Sequence, residues 1–343
     1  MSFHVAVVGA TGAVGEVMRQ CLQERDFPVG RLRLMASSRS VGRTYQFRSQ
    51  TIAIEELTED SFGEVDIVLS SIPKALSRRF SPAAVKAGAL VIDNSNAFRM
   101  DPDVPLVVPE VNPDDVAWHK GIIANPNCST IQMVVVLKPL HDAARIKRVV
   151  VTTFQSVSGA GLKAVHELRT QVRQLVNGQP VQPSLFPYQI AFNAIPQIPQ
   201  SEAFGPDGYT TEETKMLNET RKILGDDSIA VTATCVRVPV YYAHSEAVNV
   251  ETQRKLTPEE ARRILSKAPG VVVVDDPANQ RYPLAIEAAG KDQTFVGRIR
   301  QDPTVPAGLN LWVVSDNLRK GAALNAVQIA ELLVQRGLVN PKG

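Results

Sequence analysis

The chain has 343 residues, 44% of them hydrophobic and 21% charged, and its formal net charge is +2 at pH 7. This size and composition are typical of a folded protein with two cores, and they exclude intrinsic disorder as the default expectation. Because acidic and basic residues nearly balance and are scattered along the chain, no basic face for nucleic acid or a membrane surface is predicted, and small-molecule chemistry is favoured.

The two most apolar stretches in the first half of the chain predict neither export nor membrane insertion. Phe3 to Ala10 lacks a basic flank and runs directly into a glycine motif, unlike a signal peptide. Met133 to Leu137 is cut off by Lys138 and falls far short of the roughly 20 residues that span a bilayer. We expect a soluble, cytoplasmic protein.

Apolar runs and helical stretches alternate through the first third of the chain. Such alternation predicts a doubly wound parallel sheet. The expected strands are Phe3 to Val8, Arg31 to Ala36, Asp66 to Ser70 and Leu90 to Asp93, and the helical stretches include Ala13 to Glu24 and Pro82 to Ala87.

A second region begins near Val149, where long β-branched runs predict a mostly antiparallel sheet with a few helices. Its expected strands are Val149 to Thr153, Ile229 to Val240, Glu246 to Val250, Thr294 to Ile299 and Leu309 to Val314. A last helix from Arg319 is expected to return to the first domain. The predicted fold class is α/β: a Rossmann-like doubly wound domain (residues 1–128 and 319–343) and an α+β domain (129–318).

Many prolines with interleaved aromatics mark the segment from Asn177 to Gly208. The pattern indicates an extended, ordered excursion rather than a linker. We hypothesise that this segment forms a subunit contact.

A glycine loop directly follows the first strand and precedes an amphipathic helix. Glycines there let the backbone turn tightly and approach a pyrophosphate, whose charge meets free amides at the helix N-terminus. A purely structural turn is the alternative, but the strand before and the helix after favour dinucleotide binding. The expected cofactor-binding residues of the loop are Gly9, Thr11, Gly12, Ala13, Val14 and Gly15.

The end of the second strand carries no acid where a carboxylate usually binds an unphosphorylated ribose. Ser37, Arg39 and Ser40 stand there instead, with Arg43 close by. An arginine and hydroxyls could bind a 2′-phosphate, so the sequence predicts a preference for NADP over NAD. The alternative is a solvated loop with an incidental arginine.

Cys128 is the best candidate nucleophile among the three cysteines, Cys21, Cys128 and Cys235. It follows the strand Gly121 to Ala124 and opens an apolar helix, where free amides and the helix dipole stabilise a thiolate. A small buried side chain at a tight turn is the alternative. The other two cysteines are expected in the core, and the odd number and wide spacing predict neither a disulfide framework nor a metal site.

The remaining candidate residues cannot be assigned from local sequence alone. His244 is one of five histidines, any of which could be structural. Arg237 lies late in an apolar strand, where a charge needs a partner, either a substrate carboxylate or an internal acid. Glu212 and Glu213 begin a helix, where capping is as plausible as ligand binding.

Four motifs in this order resemble the aspartate-semialdehyde dehydrogenase family over nearly the whole chain. They are Gly9-Ala-Thr-Gly-Ala-Val-Gly15, Asn94-Ser-Asn-Ala-Phe-Arg99, Asn125-Pro-Asn-Cys-Ser-Thr130 and Glu212-Glu-Thr-Lys215. The glycine loop is common to many families, but the cysteine motif combined with the other three is specific.

The resemblance implies a role for each candidate residue. Cys128 is then the nucleophile, His244 the acid/base and Gln155 the substrate-orienting glutamine. Arg237 would bind the substrate α-carboxylate and Glu212 its amine. The implied phosphate ligands are Arg99, Lys215 and Asn127, and the residues near the nicotinamide are Ser158, Gly159 and Asn317, with Ser156 to Gly161 as a flexible turn.

The expected reaction is the reversible, NADPH-dependent reduction of L-aspartyl-4-phosphate to L-aspartate 4-semialdehyde and phosphate through a Cys128 thioester. It would serve biosynthesis of lysine, threonine, methionine and diaminopimelate, and the family is expected to be homodimeric through its catalytic and dimerisation domain. Two alternatives stay open: a reductase for another acyl phosphate, such as N-acetylglutamyl phosphate, and a catalytically silent paralogue.

Overall fold

The structure is a computed structural model that describes residues 2–200, 202 and 204–342. The chain divides into two compact units. The N-terminal unit comprises the residues up to Asn127 together with those from Ala322 onward, and the C-terminal unit comprises Cys128–Gly321. Two sheets and their helices confirm the predicted α/β class, in which one domain is doubly wound and the other is α+β.

The N-terminal unit is built on a seven-stranded sheet in the order β3-β4-β2-β1-β5-β6-β7, parallel except for the β3–β4 hairpin. Its strands are β1 Phe3–Val8, β2 Val29–Ala36, β3 Thr44–Phe47, β4 Gln50–Glu56, β5 Ile67–Ser70, β6 Leu90–Asp93 and β7 Ile122–Ala124. Its helices are α1 Ala13–Glu24, α2 Lys74–Lys86 and α8 Leu324–Gln335.

Two apolar cores cover the faces of this sheet. Residues of α1 and α8 share one core with β1 and β2, and residues of α2 share the other with β5 and β6. The final helix therefore belongs to the N-terminal unit. It begins at Leu324 after a π-helical turn, Arg319–Ala323, rather than at Arg319.

The predicted start of α2 at Pro82 is wrong, because the helix begins at Lys74 and Pro82 lies inside it. Its buried positions include Ser77 and Ser81 as well as Phe80. The Ser77 hydroxyl donates to Asp93 at 2.7 Å, so a polar side chain occupies part of the buried face. An apolar periodicity cannot reveal such a helix.

The C-terminal unit is built on a six-stranded sheet in the order β11-β12-β13-β10-β8-β9. The strands are β8 Ile146–Gln155, β9 Ala230–Arg237, β10 His244–Thr252, β11 Val271–Val273, β12 Thr294–Asp302 and β13 Gly308–Ser315. The central pairs are antiparallel, and the two edge pairs, β11–β12 and β8–β9, are parallel.

Five helices complete the C-terminal unit: α3 Cys128–Ala144, α4 Leu162–Val176, α5 Thr211–Leu224, α6 Pro258–Leu265 and α7 Ala285–Ala288. Helix α3 contacts β8, β10, β12 and β13 and is buried over most of its length. The helix continues beyond the apolar run that ends at Leu137, through Pro139 to Ala144. Burial on nearly every side outweighs the one backbone donor that proline lacks.

The segment from Asn177 to Gly208 is an excursion without a named helix or strand among its described residues. It touches the sheet at an antiparallel bridge between Ile195 and Arg237. Ile190 and Phe186 pack with α4, whereas Tyr188 and Phe192 are 66% and 73% exposed. Across the described residues, no helix combines the length and apolarity needed to cross a bilayer.

Candidate active site

The glycine loop of the N-terminal unit requires glycine at two positions. Gly9 has φ +84°, and a Cβ there would lie 2.3 Å from the Ser71 carbonyl oxygen. A Cβ on Gly15 would lie 2.4 Å from the Gly9 carbonyl oxygen. Gly12 caps α1 without a side-chain hydrogen bond, and Thr11, Ala13 and Val14 complete the loop. Free first-turn amides beside a side-chain-free backbone fit a pyrophosphate.

The turn after β2 has the composition that a phosphorylated ribose requires. Ser37 and Arg39 are exposed, and Ser40 is buried, in a 3₁₀ turn over Ser38–Ser40. No acidic residue occurs between Ala36 and Arg43. A cation and hydroxyls without a carboxylate fit a 2′-phosphate.

Two of the expected phosphate ligands, Arg99 and Asn127, belong to the N-terminal unit. Both are buried, at 7% and 6% exposure. Arg99 donates from Nη2 to the Asn94 carbonyl oxygen at 2.8 Å. This hydrogen bond joins the last residue of the Asn94–Arg99 motif to the first. Arg99 is therefore a buried side chain and not the exposed one that is the default for an arginine.

Cys128 is the first residue of α3, at the helix N-terminus as the sequence predicts, and its side chain is half-buried. A Cβ on Gly321 would lie 2.9 Å from Cys128 Cβ, so the backbone at Gly321 packs directly against the thiol-bearing residue. Cys21 and Cys235 are fully buried. Burial raises the pKa of the Cys235 thiol strongly, which makes it a poor nucleophile.

His244 opens β10 and is completely buried. Its Nδ1 accepts the backbone N–H of Ser156 at 3.0 Å, and its Nε2 has no hydrogen-bond partner among the described residues. Burial, and then the charge of Arg237, lower the pKa of His244 from 6.5 to about 3. The ring is therefore neutral near pH 7 and carries its proton on Nε2, because Nδ1 already accepts a donor.

The segment after β8, which the resemblance implies to be a flexible turn, makes several hydrogen bonds to its neighbours. Val157–Ala160 form a 3₁₀ turn. The Asn317 Oδ1 accepts the hydroxyls of Ser156 and Ser158, both at 3.1 Å, and the backbone N–H of Ala243 at 3.0 Å. Asn317 thus ties this turn to the residue before His244, a contact that the sequence does not indicate.

The C-terminal unit also buries a guanidinium, a carboxylate and an amide. Arg237, at 2% exposure, donates from Nη1 to the Ser156 carbonyl at 2.6 Å, while its Nε lacks a partner among the described residues. Gln155 Nε2 donates to Glu212 Oε1 at 3.3 Å. Lys215 Nζ pairs with the other Glu212 oxygen, also at 3.3 Å.

Glu212 and Glu213 make different contacts at the start of α5. Glu213 forms a capping box with Thr210 and accepts the backbone N–H of Cys235 at 2.8 Å. Capping therefore describes Glu213, whereas Glu212 contacts Gln155 and Lys215.

Four of the predicted residues, Cys128, Glu212, Arg237 and His244, interact electrostatically within the C-terminal unit. Burial lowers the pKa of Arg237, and negative charge on Glu212, Cys128 and Cys235 opposes that shift. Arg237 and Glu212 in turn act on the pKa of His244. Such a cluster of a half-buried thiol with a buried cation, carboxylate and imidazole is typical of acyl-transfer chemistry.

Gly159 lies against this cluster. A Cβ there would lie 3.0 Å from Arg237 Nη1 and 3.3 Å from His244 Nε2. Sequence reasoning assigned Gly159 to the cofactor, and it missed Ser156 and Gly321 as neighbours of the reactive side chains. No local signal could have found them, because both contacts join segments far apart in sequence. In the described part of the chain, no group of three histidine, cysteine or acidic side chains could hold a metal ion.

Two family models match the chain. "Semialdehyde dehydrogenase, NAD binding domain" matches residues 4–119, and "Semialdehyde dehydrogenase, dimerisation domain" matches residues 137–320. Aspartate-semialdehyde dehydrogenase of Aquifex aeolicus is 55% identical over 99% of this chain and 100% of its own.

Solved structures are similar over the same length. Aspartate semialdehyde dehydrogenase II of Vibrio cholerae, complexed with ASA, has a TM-score of 0.94 at 51% identity, covering 98% of this chain and 99% of its own. Aspartate semialdehyde dehydrogenase of Candida albicans, solved with NADP, has a TM-score of 0.76 at 26% identity, covering 98% of this chain and 100% of its own.

Proposed function

Because the chain belongs to the aspartate-semialdehyde dehydrogenase family, we propose that it catalyses the reversible, NADPH-dependent reduction of L-aspartyl-4-phosphate to L-aspartate 4-semialdehyde and phosphate. This reaction belongs to aspartate-family amino-acid biosynthesis. The observation that carries the proposal is the electrostatic cluster of Cys128, Arg237, Glu212 and His244 in the C-terminal unit.

Cys128 is the proposed nucleophile. Its Sγ attacks the β-carbonyl carbon of aspartyl phosphate, a C–S bond forms, and the C–O bond to phosphate breaks to leave a thioester. The position at the start of α3 supports this role, because first-turn amides and the helix dipole stabilise a thiolate. The backbone at Gly321 fixes where the side chain can lie.

Neutral His244 donates its Nε2–H to the oxyanion that develops on the reacting carbonyl. The fixed tautomer and the pKa of about 3 support a hydrogen-bond donor in place of the full proton transfer expected from sequence. The chemistry stays balanced without that transfer, since collapse of the tetrahedral thiohemiacetal oxyanion expels the Cys128 thiolate and yields the aldehyde directly.

Substrate binding is assigned to buried charges. Arg237 binds the α-carboxylate through a bidentate pair, supported by its partnerless Nε and its burial. Glu212 binds the α-amine, and Gln155, hydrogen-bonded to Glu212, orients the reacting group. A substrate with an acetylated amine would offer Glu212 no cation, which favours aspartyl over N-acetylglutamyl phosphate.

Phosphate binding is assigned to Arg99, Lys215 and Asn127, as the resemblance implies. Lys215 already lies 3.3 Å from Glu212, so the phosphate cation and the amine ligand are adjacent. Negative charge on the leaving phosphate is stabilised by these donors as the C–O bond breaks.

When bound, the reduced nicotinamide supplies the hydride that converts the thioester to the aldehyde level. Gly9, Gly12 and Gly15 with the first turn of α1 bind its pyrophosphate, and Arg39 with Ser37 and Ser40 selects the 2′-phosphate. Ser158, Gly159 and Asn317 are the proposed contacts of the nicotinamide. The match to an NAD binding domain and the NADP-bound relative support this assignment.

We further propose a homodimer formed through the C-terminal unit, which matches a dimerisation domain. One face of its sheet is half-exposed although it carries the tilted aromatic pair Phe154 and Trp312. The exposed Tyr188 and Phe192 support the excursion from Asn177 to Gly208 as part of the same contact. The cytoplasmic location expected from sequence stays a prediction.

Phosphate-dependent reduction of NADP⁺ by the purified protein with L-aspartate semialdehyde tests the proposed function. We expect turnover that disappears when phosphate is omitted and that is much slower with NAD⁺. Turnover with N-acetylglutamate semialdehyde alone would assign the chain to the other reductase, and no turnover from folded, reduced protein with either substrate would indicate a silent paralogue.

A further inference from the structure

Glu246 is a buried acid with no assigned task. It lies two residues after His244 on β10, so its side chain points to the same face of the sheet. It is 0% exposed, and neither carboxyl oxygen has a hydrogen-bond partner among the described residues. An ionised carboxylate in such a place would be strongly unfavourable, because burial removes its water and nothing replaces it.

Gln132, on helix α3, joins this acid to the histidine strand. Its side chain is fully buried, and its Nε2 donates to the His244 carbonyl oxygen at 3.4 Å. Its Oε1 has no partner among the described residues. Gln132 is also the one group whose interaction opposes the effect of burial on the pKa of Glu246, so the two side chains are neighbours.

The three unpartnered oxygens, two on Glu246 and one on Gln132, are all acceptors if the acid is ionised. A proton on Glu246 converts one of them into a donor that Gln132 Oε1 can accept. Burial raises the pKa of Glu246 well above its ordinary value of 4.5, which also favours the protonated form. Cys235 also lies in the field of this acid, and ionised Glu246 would oppose its thiolate form.

We propose that Glu246 stays protonated in the folded protein and acts as a positioning residue for His244. Its hydroxyl donates to Gln132 Oε1, and the Gln132 amide donates to the His244 carbonyl, so the acid holds the start of β10 through the glutamine. Ser156 fixes the ring of His244 from one side, and Gln132 with Glu246 fixes its backbone from the other. This inference rests on the proposed role of His244 as the donor to the oxyanion.

Substitutions at Glu246 and Gln132 distinguish three possible roles of Glu246: a neutral hydrogen-bond donor that positions His244, an ionised carboxylate, and a side chain that only fills space. Glu246→Gln keeps shape, neutrality and a donor, so we expect kcat to stay within about threefold of wild type. Glu246→Leu keeps bulk but removes the donor, so kcat should fall by roughly 10–100-fold with KM for semialdehyde little changed, because a misplaced catalytic group can cost about 10²-fold.

Coupling between the two residues is the second readout. Gln132→Leu should lower kcat about as much as Glu246→Leu, and the double variant should be no slower than either single variant, since both break one chain of hydrogen bonds. Equal activity of Glu246→Gln and Glu246→Leu, or additive losses in the double variant, would overturn the positioning role.

Infrared difference spectra of wild type against Glu246→Gln at pH 7 test protonation without any activity. We expect the carbonyl stretch of a neutral carboxyl, shifted in D₂O, to be lost in the variant. Glu167→Gln is the matched control: Glu167 is also buried, but its carboxylate accepts four hydrogen bonds, so ionised-carboxylate bands should be lost there. Loss of ionised-carboxylate bands in Glu246→Gln would overturn the proposal.

The infrared test does not depend on catalysis. If the wild-type protein were inactive, the proposed function would be refuted, and the spectrum would still decide whether Glu246 is protonated.

Discussion

The two units hold their candidate sites in opposite ways. In the N-terminal unit the glycine loop offers main-chain amides, and a Cβ at Gly9 or Gly15 would meet a backbone carbonyl oxygen within 2.4 Å. In the C-terminal unit the reactive groups are side chains, and Arg237 and His244 are almost completely buried. The glycine loop depends on positions that carry no side chain, whereas the site in the C-terminal unit depends on polar and charged side chains buried away from water.

This difference determines what each site tolerates. A change of volume in the glycine loop should weaken cofactor binding without touching the acyl chemistry. A change of charge or donor geometry in the C-terminal unit should slow chemistry and leave the cofactor bound. Substitutions in the two units should therefore produce separable losses.

Cys128→Ala gives the largest expected effect. Without a nucleophile, turnover should fall by on the order of 10⁴-fold or more, while the Kd of NADP stays within about twofold. Steady-state rates and calorimetric titration with NADP measure the two quantities. Cys235→Ala is the control thiol and should retain turnover; survival of turnover in Cys128→Ala would break the separation of roles.

Arg237→Lys sharpens the same contrast by keeping the charge and removing the guanidinium fork. A lysine cannot form the bidentate pair with the substrate carboxylate, so kcat/KM for aspartate semialdehyde should fall by about 10²-fold, mostly through KM. NADP affinity should not change. An unaltered KM would mean that Arg237 serves an internal contact.

Gly15→Ala tests the N-terminal unit alone. Its Cβ would press on the Gly9 carbonyl, so the loop must shift, and the Kd of NADP should rise by about tenfold, with a loss of stability of roughly 1–3 kcal/mol. Gly63→Ala is the matched control, because nothing lies within 4 Å of a Cβ at that position. Wild-type affinity in Gly15→Ala would contradict a backbone cradle.

The buried acid and base should give opposite pH dependences of stability. Between about pH 3 and 6.5 the unfolded chain holds a proton on His244 that the folded protein lacks. The free energy of unfolding of the wild type, relative to that of His244→Asn, should therefore rise with pH in this range.

Above about pH 4.5 folded Glu246 holds a proton that the unfolded chain loses. The free energy of unfolding of the wild type, relative to that of Glu246→Gln, should therefore fall as the pH rises. Each slope should approach about 1.4 kcal/mol per pH unit in urea titrations, and slopes of the same sign would refute one assignment.

The sequence predicts the elements whose chemistry is local. The glycine loop from Gly9 to Gly15 forms as expected, with β1 before it and α1 after it. Helix α3 begins at Cys128. The edge hairpin, Thr44–Phe47 with Gln50–Glu56, was not predicted, because its strands are short and largely exposed. Pattern-based reasoning has little signal for a polar strand at the edge of a sheet.

The candidate site is predictable only in part, because most of its residues depend on contacts between distant segments of the chain. Cys128 stands out because a strand and a helix flank it, whereas His244 and Arg237 acquire their properties from burial and from each other. The hydrogen bond from Ser156 to His244 and the proximity of Gln132 to Glu246 join segments more than 80 residues apart. Local sequence carries no signal for such tertiary contacts, so only the resemblance could assign roles to His244 and Arg237.

The most direct test of the central claim is the intact mass of the protein after mixing with L-aspartate semialdehyde and NADP⁺ in the absence of phosphate. We predict an added aspartyl group on wild-type protein, located on Cys128 by peptide mapping, absent from Cys128→Ala and removed when phosphate is added. An unmodified protein that nevertheless turns over when phosphate is supplied would contradict the thioester and with it the assignment of the chemistry to the C-terminal unit.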